Sequence, residues 1–253
     1  MSIADFVLLL IFSLMVGLYI TAGISSSKKP HLKNWPIYRY LLWTAGIASA
    51  AVSVIGPLAE QSHDNFVMHM IVHLLLGMLA PLLLVLSAPF TLVLRSLDRA
   101  KARKAAALLK STLVRYISHP VTASFLNIGG LWILYTTELF HLMHQHFFIH
   151  ALVHFHLFLA GYVFTAAMIY VDPVSHRFSY LYRGVVFIFA LAGHQILAKY
   201  LYGHPPLHFP LQDVQAGAKL MYYGGDAIDL VIIYIFFRQW YQSARPRRQV
   251  SVI

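Results

Sequence analysis

Two sets of histidines, spaced one helical turn apart, carry the clearest chemical signal in this 253-residue chain. In the run Met68-His69-Met70-Ile71-Val72-His73, a helix places His69 and His73 on one face, about 6 Å apart along the axis. Two imidazoles so placed can share a metal ion. His146, His150 and His154 repeat the four-residue step, while His156 falls on a different face. Cysteine is absent, so thiolate ligands and disulfides are excluded, and any metal must bind nitrogen, oxygen or thioether sulfur. Met68, Met70 and Met143 are the thioethers that could serve Cu(I).

Further along stand His194-Gln195 and Gly224-Gly225-Asp226, with Asp229 three residues on. Asp226 falls near a bilayer midplane, where a carboxylate costs about 2.5–3.5 kcal/mol and needs a partner or a proton. The adjacent glycines would let helices approach closely enough for Asp226 to reach a neighbouring imidazole and orient it as a ligand. Asp229 reads equally well as a structural carboxylate paired with a tyrosine or histidine. A lone histidine in a membrane helix more often bridges helices than binds a metal. Here His73 and His154 both lie about 10 Å inside their helix ends at 1.5 Å per residue. Two matched pairs with a third histidine and a carboxylate favour a metal or haem site.

The elements that must hold these residues are membrane helices, since 59% of the chain is hydrophobic and only 11% charged. Seven apolar stretches predict an all-α, polytopic seven-helix bundle in one domain over 1–253, with spans near 4–24, 37–58, 66–86, 121–139, 147–171, 184–201 and 218–240. The first has no basic leader and no small-residue cleavage site, so it reads as a retained span. The third continues past Pro81 and Ser87-Ala88-Pro89, which predicts a bend and an interfacial segment. Trp35, Trp43, Trp240 and several tyrosines near span ends read as interfacial anchors.

Orientation follows from the basic residues. Seventeen of the 19 lysines and arginines fall between spans one and two, three and four, five and six, or after span seven, where Arg247 and Arg248 lie. That side is expected to be cytoplasmic, with the N-terminus outside and the C-terminus inside. Twelve of the 15 histidines then belong to the outer half, all but His31, His119 and His176. His63, His141, His144, His146, His204 and His208 sit in outer segments that carry acidic residues and almost no basic charge. A cation would meet an imidazole-rich surface there.

The formal charge of +10 does not point to nucleic acid, because the basic residues flank apolar spans instead of interleaving with aromatics; they suit contact with anionic membrane lipids. No serine, histidine and carboxylate pattern suggests hydrolysis, and no glycine loop suggests phosphate binding, so an enzyme is not expected.

The run His69-Met70-Ile71-Val72-His73-Leu74-Leu75-Leu76, then Ala80-Pro81-Leu82-Leu83-Leu84 and Ser87-Ala88-Pro89-Phe90-Thr91-Leu92, resembles the third-span signature of the CtaG family of bacterial cytochrome c oxidase assembly factors. His150-Ala151-Leu152-Val153-His154 and Phe158-Leu159-Ala160-Gly161 resemble its second histidine signature. The resemblance runs from about Trp43 to Trp240. It implies a multi-pass plasma-membrane protein that helps copper, more readily Cu(I), reach a haem-copper oxidase, whose subunits would be its partners. It also carries a metal-binding role over to His69, His73, His150 and His154. His194, Asp226, Asp229, His63, His146, Met68 and Met70 would be additional or supporting contributors. No copper-resistance domain accompanies the motifs, which implies a separate extracytoplasmic copper donor. The rival readings are a haem-binding redox protein with axial imidazoles from spans three and five, a metal or proton transporter using Asp226 and Asp229, and a scaffold that binds no metal.

Overall fold

The computed structural model describes residues 3–174, 176–206 and 209–245, so His208, Arg247 and Arg248 lie outside the described residues. The chain is built from helices: α1 (Ile3–Ser27), α2 (Ile37–Val54), α3 (Pro57–Gln61), α4 (Phe66–Leu74), α5 (Ala80–Leu86), α6 (Pro89–Ser96), α7 (Arg99–Leu109), α8 (Thr112–Ile117), α9 (Pro120–Ser124), α10 (Gly130–Thr136), α11 (Leu139–Gln145), α12 (Phe147–Met168), α13 (Tyr180–Gly203) and α14 (Leu211–Ala244). Two π-helical turns, Leu75–Leu79 and Phe125–Gly129, join α4 to α5 and α9 to α10. Strands are absent among the described residues.

Among the described residues, five continuous helices are long and apolar enough to cross a membrane: α1, Phe66–Leu86, α12, α13 and α14. The expected second span ends at Val54, and the expected fourth is the interrupted run 120–136. Both are shorter than the usual length of about 20 residues. Conversely, α13 and α14 outrun the apolar stretches predicted for them, because polar turns at their ends continue the same backbone hydrogen bonding.

Phe66–Leu86 is the axis of the bundle, with 67% of its apolar window buried against 6% for α1. Its α4 part packs on α14 and its α5 part on α2 and α12, while α1 lies outside against α2 and α6. The histidine-bearing helix is therefore surrounded by protein. Asn65 starts it, its side chain accepting from Met68 N–H at 3.0 Å. Pro81, at the start of α5, cannot donate to the carbonyl of Gly77, and the π turn absorbs that missing bond. Gly161 of α12 packs there so closely that a Cβ would stand 2.0 Å from Gly77 O. Only glycine allows the two backbones to touch.

The bend occurs at Ala88, not at Pro81. Ala88 is left-handed (φ 56°), and Pro89 opens α6 in a new direction. From here α6, α7 and α8 form the basic end of the molecule. At the opposite, histidine end, the expected loop 140–146 is almost entirely the short helix α11, and 59–65 begins within the short helix α3.

Candidate metal centre

The bundle brings histidines from α4, α11 and α12 together at one end. His150 and His154, one turn apart on α12, stack with ring centroids 4.1 Å apart. His63 lies over them, its ring 4.7 Å from His150 and 6.1 Å from His144 of α11. His69 of α4 reaches the same group, with its ring 6.1 Å from His144. A pocket of about 260 Å³, lined by His63, Asp64, His141 and His144 with Phe140 and Phe209, forms its mouth.

Backbone carbonyls fix which nitrogen of these rings can bind a metal. His154 Nδ1 donates to His150 O at 3.0 Å and His144 Nδ1 to Phe140 O at 2.8 Å, because a carbonyl can only accept. Each neutral ring therefore carries its proton on Nδ1, the tautomer whose Nε2 is a ligand. His150 Nδ1 is buried without a hydrogen-bond partner. His69 is engaged instead: its Nε2 lies 3.0 Å from Tyr135 Oη, which also stands 4.0 Å from Met70 Sδ.

One turn deeper, His73 pairs with His194 of α13, their rings nearly parallel (17°) with centroids 6.0 Å apart. Both are buried, at 2% and 3% exposure, and neither ring nitrogen of either finds a hydrogen-bond partner. A cavity of about 20 Å³ adjoins them, lined also by Asn127, Thr165 and the buried Asp229. Thus His69, His150 and His154 gather toward the mouth, and His73 looks inward. Among the described residues, no group of three or more histidine, aspartate or glutamate side chains already has the arrangement of a metal site.

The carboxylates divide differently from the expectation. Asp226 accepts from Gln195 Nε2 and not from an imidazole, while Asp229 lines the cavity that His73 and His194 also line. Gly225 instead makes room for His194, since a Cβ there would stand 2.6 Å from the ring. Met68 is half-buried, and Met143 is buried in the apolar cluster around Phe66 and Tyr135. His146 is exposed at the start of α12, and His156 Nε2 donates to Leu126 O at 3.1 Å, a helix-bridging role. Tyr135 was missed as a partner of His69, because one tyrosine near a span end has no signal distinguishing it from an interfacial anchor. Asn127 and Thr165 had none either.

Comparison with known proteins places the chain in a family. The model of the family Caa3_CtaG, cytochrome c oxidase caa3 assembly factor, matches residues 17–243. An uncharacterized protein of Mycobacterium leprae is 31% identical over 183 residues, covering 69% of this chain and 28% of its own length. Uncharacterized proteins of Mycobacterium bovis and Mycobacterium tuberculosis are each 33% identical over 154 residues, covering 58% of this chain and 23% of their own. The chain thus spans about a quarter of the length of these curated relatives. No solved structure matches. The match over most of the chain and the several membrane-crossing helices together establish a multi-pass protein of the bacterial plasma membrane that belongs to the caa3-type cytochrome c oxidase assembly factor family.

Proposed function

We propose that this assembly factor carries copper, as Cu(I), to a haem-copper oxidase, holding the ion among His69, His73, His150 and His154. In this reading α2 and the run 120–136 also cross the membrane, giving seven spans with the N-terminus outside and the C-terminus cytoplasmic. The histidine end then faces outward and the basic end lies in the cytoplasm, a reading supported by the distribution of lysines and arginines.

The observation that carries the proposal is where hydrogen bonding fails. Among the described residues, nine buried side-chain nitrogen or oxygen atoms lack a partner, and five are imidazole nitrogens of His73, His150 and His194. Buried polar groups ordinarily find partners, and an exception asks for a ligand. Neutral imidazoles suit copper, and the absence of thiols keeps exchange fast enough for delivery. The mouth at His63 and His144 would receive the ion from an extracytoplasmic donor. The stacked pair His150 and His154 would pass it inward, and an oxidase subunit would take it from the side. Asp226, tied to Gln195, would hold α13 and α14 in register. The cavity of about 20 Å³ between His73 and His194 has the scale of a water or an ion, which favours an ion over a haem macrocycle.

The test is oxidase activity in cells carrying His73→Ala or His154→Ala, with the level of the assembly factor in the membrane measured alongside. Loss of oxidase activity at unchanged level is expected from each. Normal activity in both would overturn the proposal.

A further inference from the structure

The geometry points to a second, inner copper seat, built by the paired rings of His73 of α4 and His194 of α13, with the buried Asp229 of α14 lining the same cavity. It rests on the reading of the histidine end as a copper carrier and adds a separate place for the ion to stop, on residues outside the two histidine signatures except His73.

Four features converge there. First, His73 and His194 together present four ring nitrogens, all buried and all without a hydrogen-bond partner. Histidines that merely bridge helices would bond to each other or to a carbonyl, as His156 does to Leu126 O. Second, a cavity of about 20 Å³ lies against both rings and Asp229, enough for one small occupant. Third, both π-helical turns border this cavity, one through Gly77 and Met78 and the other through Asn127 and Ile128. Such turns cost regular hydrogen bonding and recur at functional sites. Fourth, Gly225 leaves space that the His194 ring fills.

The chemistry distinguishes the two seats. The outer rings stack near an exposed His63 and a pocket open to solvent, which suits capture. The inner pair is shielded from water, and the buried Asp229 lines the same cavity. The rings are nearly parallel, so closing on an ion requires each to turn about its Cβ–Cγ bond. No bond is made or broken beyond ligand exchange at the metal.

The experiment uses the full-length protein in detergent, loaded with Cu(I) under reductant and read by X-ray absorption and copper content. In His194→Cys, a single thiol enters a chain that has none. A copper–sulfur contribution beyond that of the unaltered protein is expected, and His194→Ala should lose one class of bound Cu(I) while keeping the other. His73→Cys provides the same sulfur readout if the first variant does not accumulate. Unaltered protein that takes up no Cu(I) would overturn the copper reading itself. Unaltered protein that binds Cu(I), with no added sulfur signal and full binding in His194→Ala, would overturn the inner seat alone and leave the cavity to a buried water.

Discussion

The two ends of the bundle treat their polar groups in opposite ways. At the basic end most are tied down, with Arg39 Nε, Arg183 Nε and Gln239 Oε1 the buried exceptions among the described residues. Tyr19 Oη donates to Ser87 O at 2.6 Å and accepts from Trp35 Nε1 at 3.1 Å, so Trp35 is a buried packing residue and not an interfacial anchor. Lys29 Nζ donates to the carbonyls of Arg95, Ser96 and Leu97, capping the C-terminus of α6. Arg183, 1% exposed, donates to Met168 O and lies over the rings of Tyr170, Tyr180 and Phe236 at 3.9, 4.5 and 5.2 Å. Its unpaired Nε therefore belongs to a side chain that is otherwise engaged. At the histidine end, His73 and His194 have no hydrogen bond at either ring nitrogen. Most polar groups of the basic end are closed by the chain itself, whereas the inner histidine pair is left entirely open.

Substitutions at the two ends should separate stability from copper. The largest loss of stability is expected at Arg183. Arg183→Ala removes the ring contacts and leaves a void, lowering thermal stability in detergent by about 2–5 kcal/mol, with copper per folded molecule unchanged. Next comes the contact between the central helix and α12. Gly161→Ala forces a methyl against Gly77 O and should cost about 1–3 kcal/mol, read as a lower unfolding temperature.

A smaller effect belongs to Asp172, which accepts from Phe90 N–H, Thr91 N–H and the Thr91 hydroxyl and so pins the start of α6. Asp172→Asn, followed by thermal unfolding at neutral pH, should cost about 1–2 kcal/mol. Burial raises the Asp172 carboxyl above its ordinary value of 3.8, against the opposing pull of its Thr91 hydrogen bonds. The folded chain then holds that proton more tightly than the unfolded one. Its contribution is full below the ordinary value and is lost as pH rises through the raised one; Asp172→Asn should flatten that part of the stability profile. Smallest of all in stability is His150→Ala/His154→Ala, within about 1 kcal/mol, since these rings stack on one another and on His63 and add one bond to a backbone carbonyl.

Much of this contrast was legible in the sequence, for definite reasons. The four-residue spacing of His69 with His73 and of His150 with His154 fixes each pair on a face whatever the tertiary packing. Hydropathy located Phe66–Leu86 to the residue, because its ends coincide with the Asn65 cap and the Ser87-Ala88-Pro89 bend. What escaped depends on rotation between helices. Asp226 and Asp229 lie three residues apart on α14, so spacing alone could not say which shares a cavity with His194; helix packing puts Asp229 there and ties Asp226 to Gln195. Tyr135 and the two π turns are likewise products of packing, and no local pattern announces them. Arg183 read as a topology signal, whereas its aromatic cage forms only when α13, α14 and the segment after α12 converge.

The most direct test of the central claim is the copper content of the purified full-length protein after exposure to Cu(I), compared with His150→Ala/His154→Ala of equal unfolding temperature. The account predicts near-stoichiometric copper in the unaltered protein and a clear loss in the variant. An unaltered protein that stays metal-free, or a variant that keeps its full copper, would contradict it.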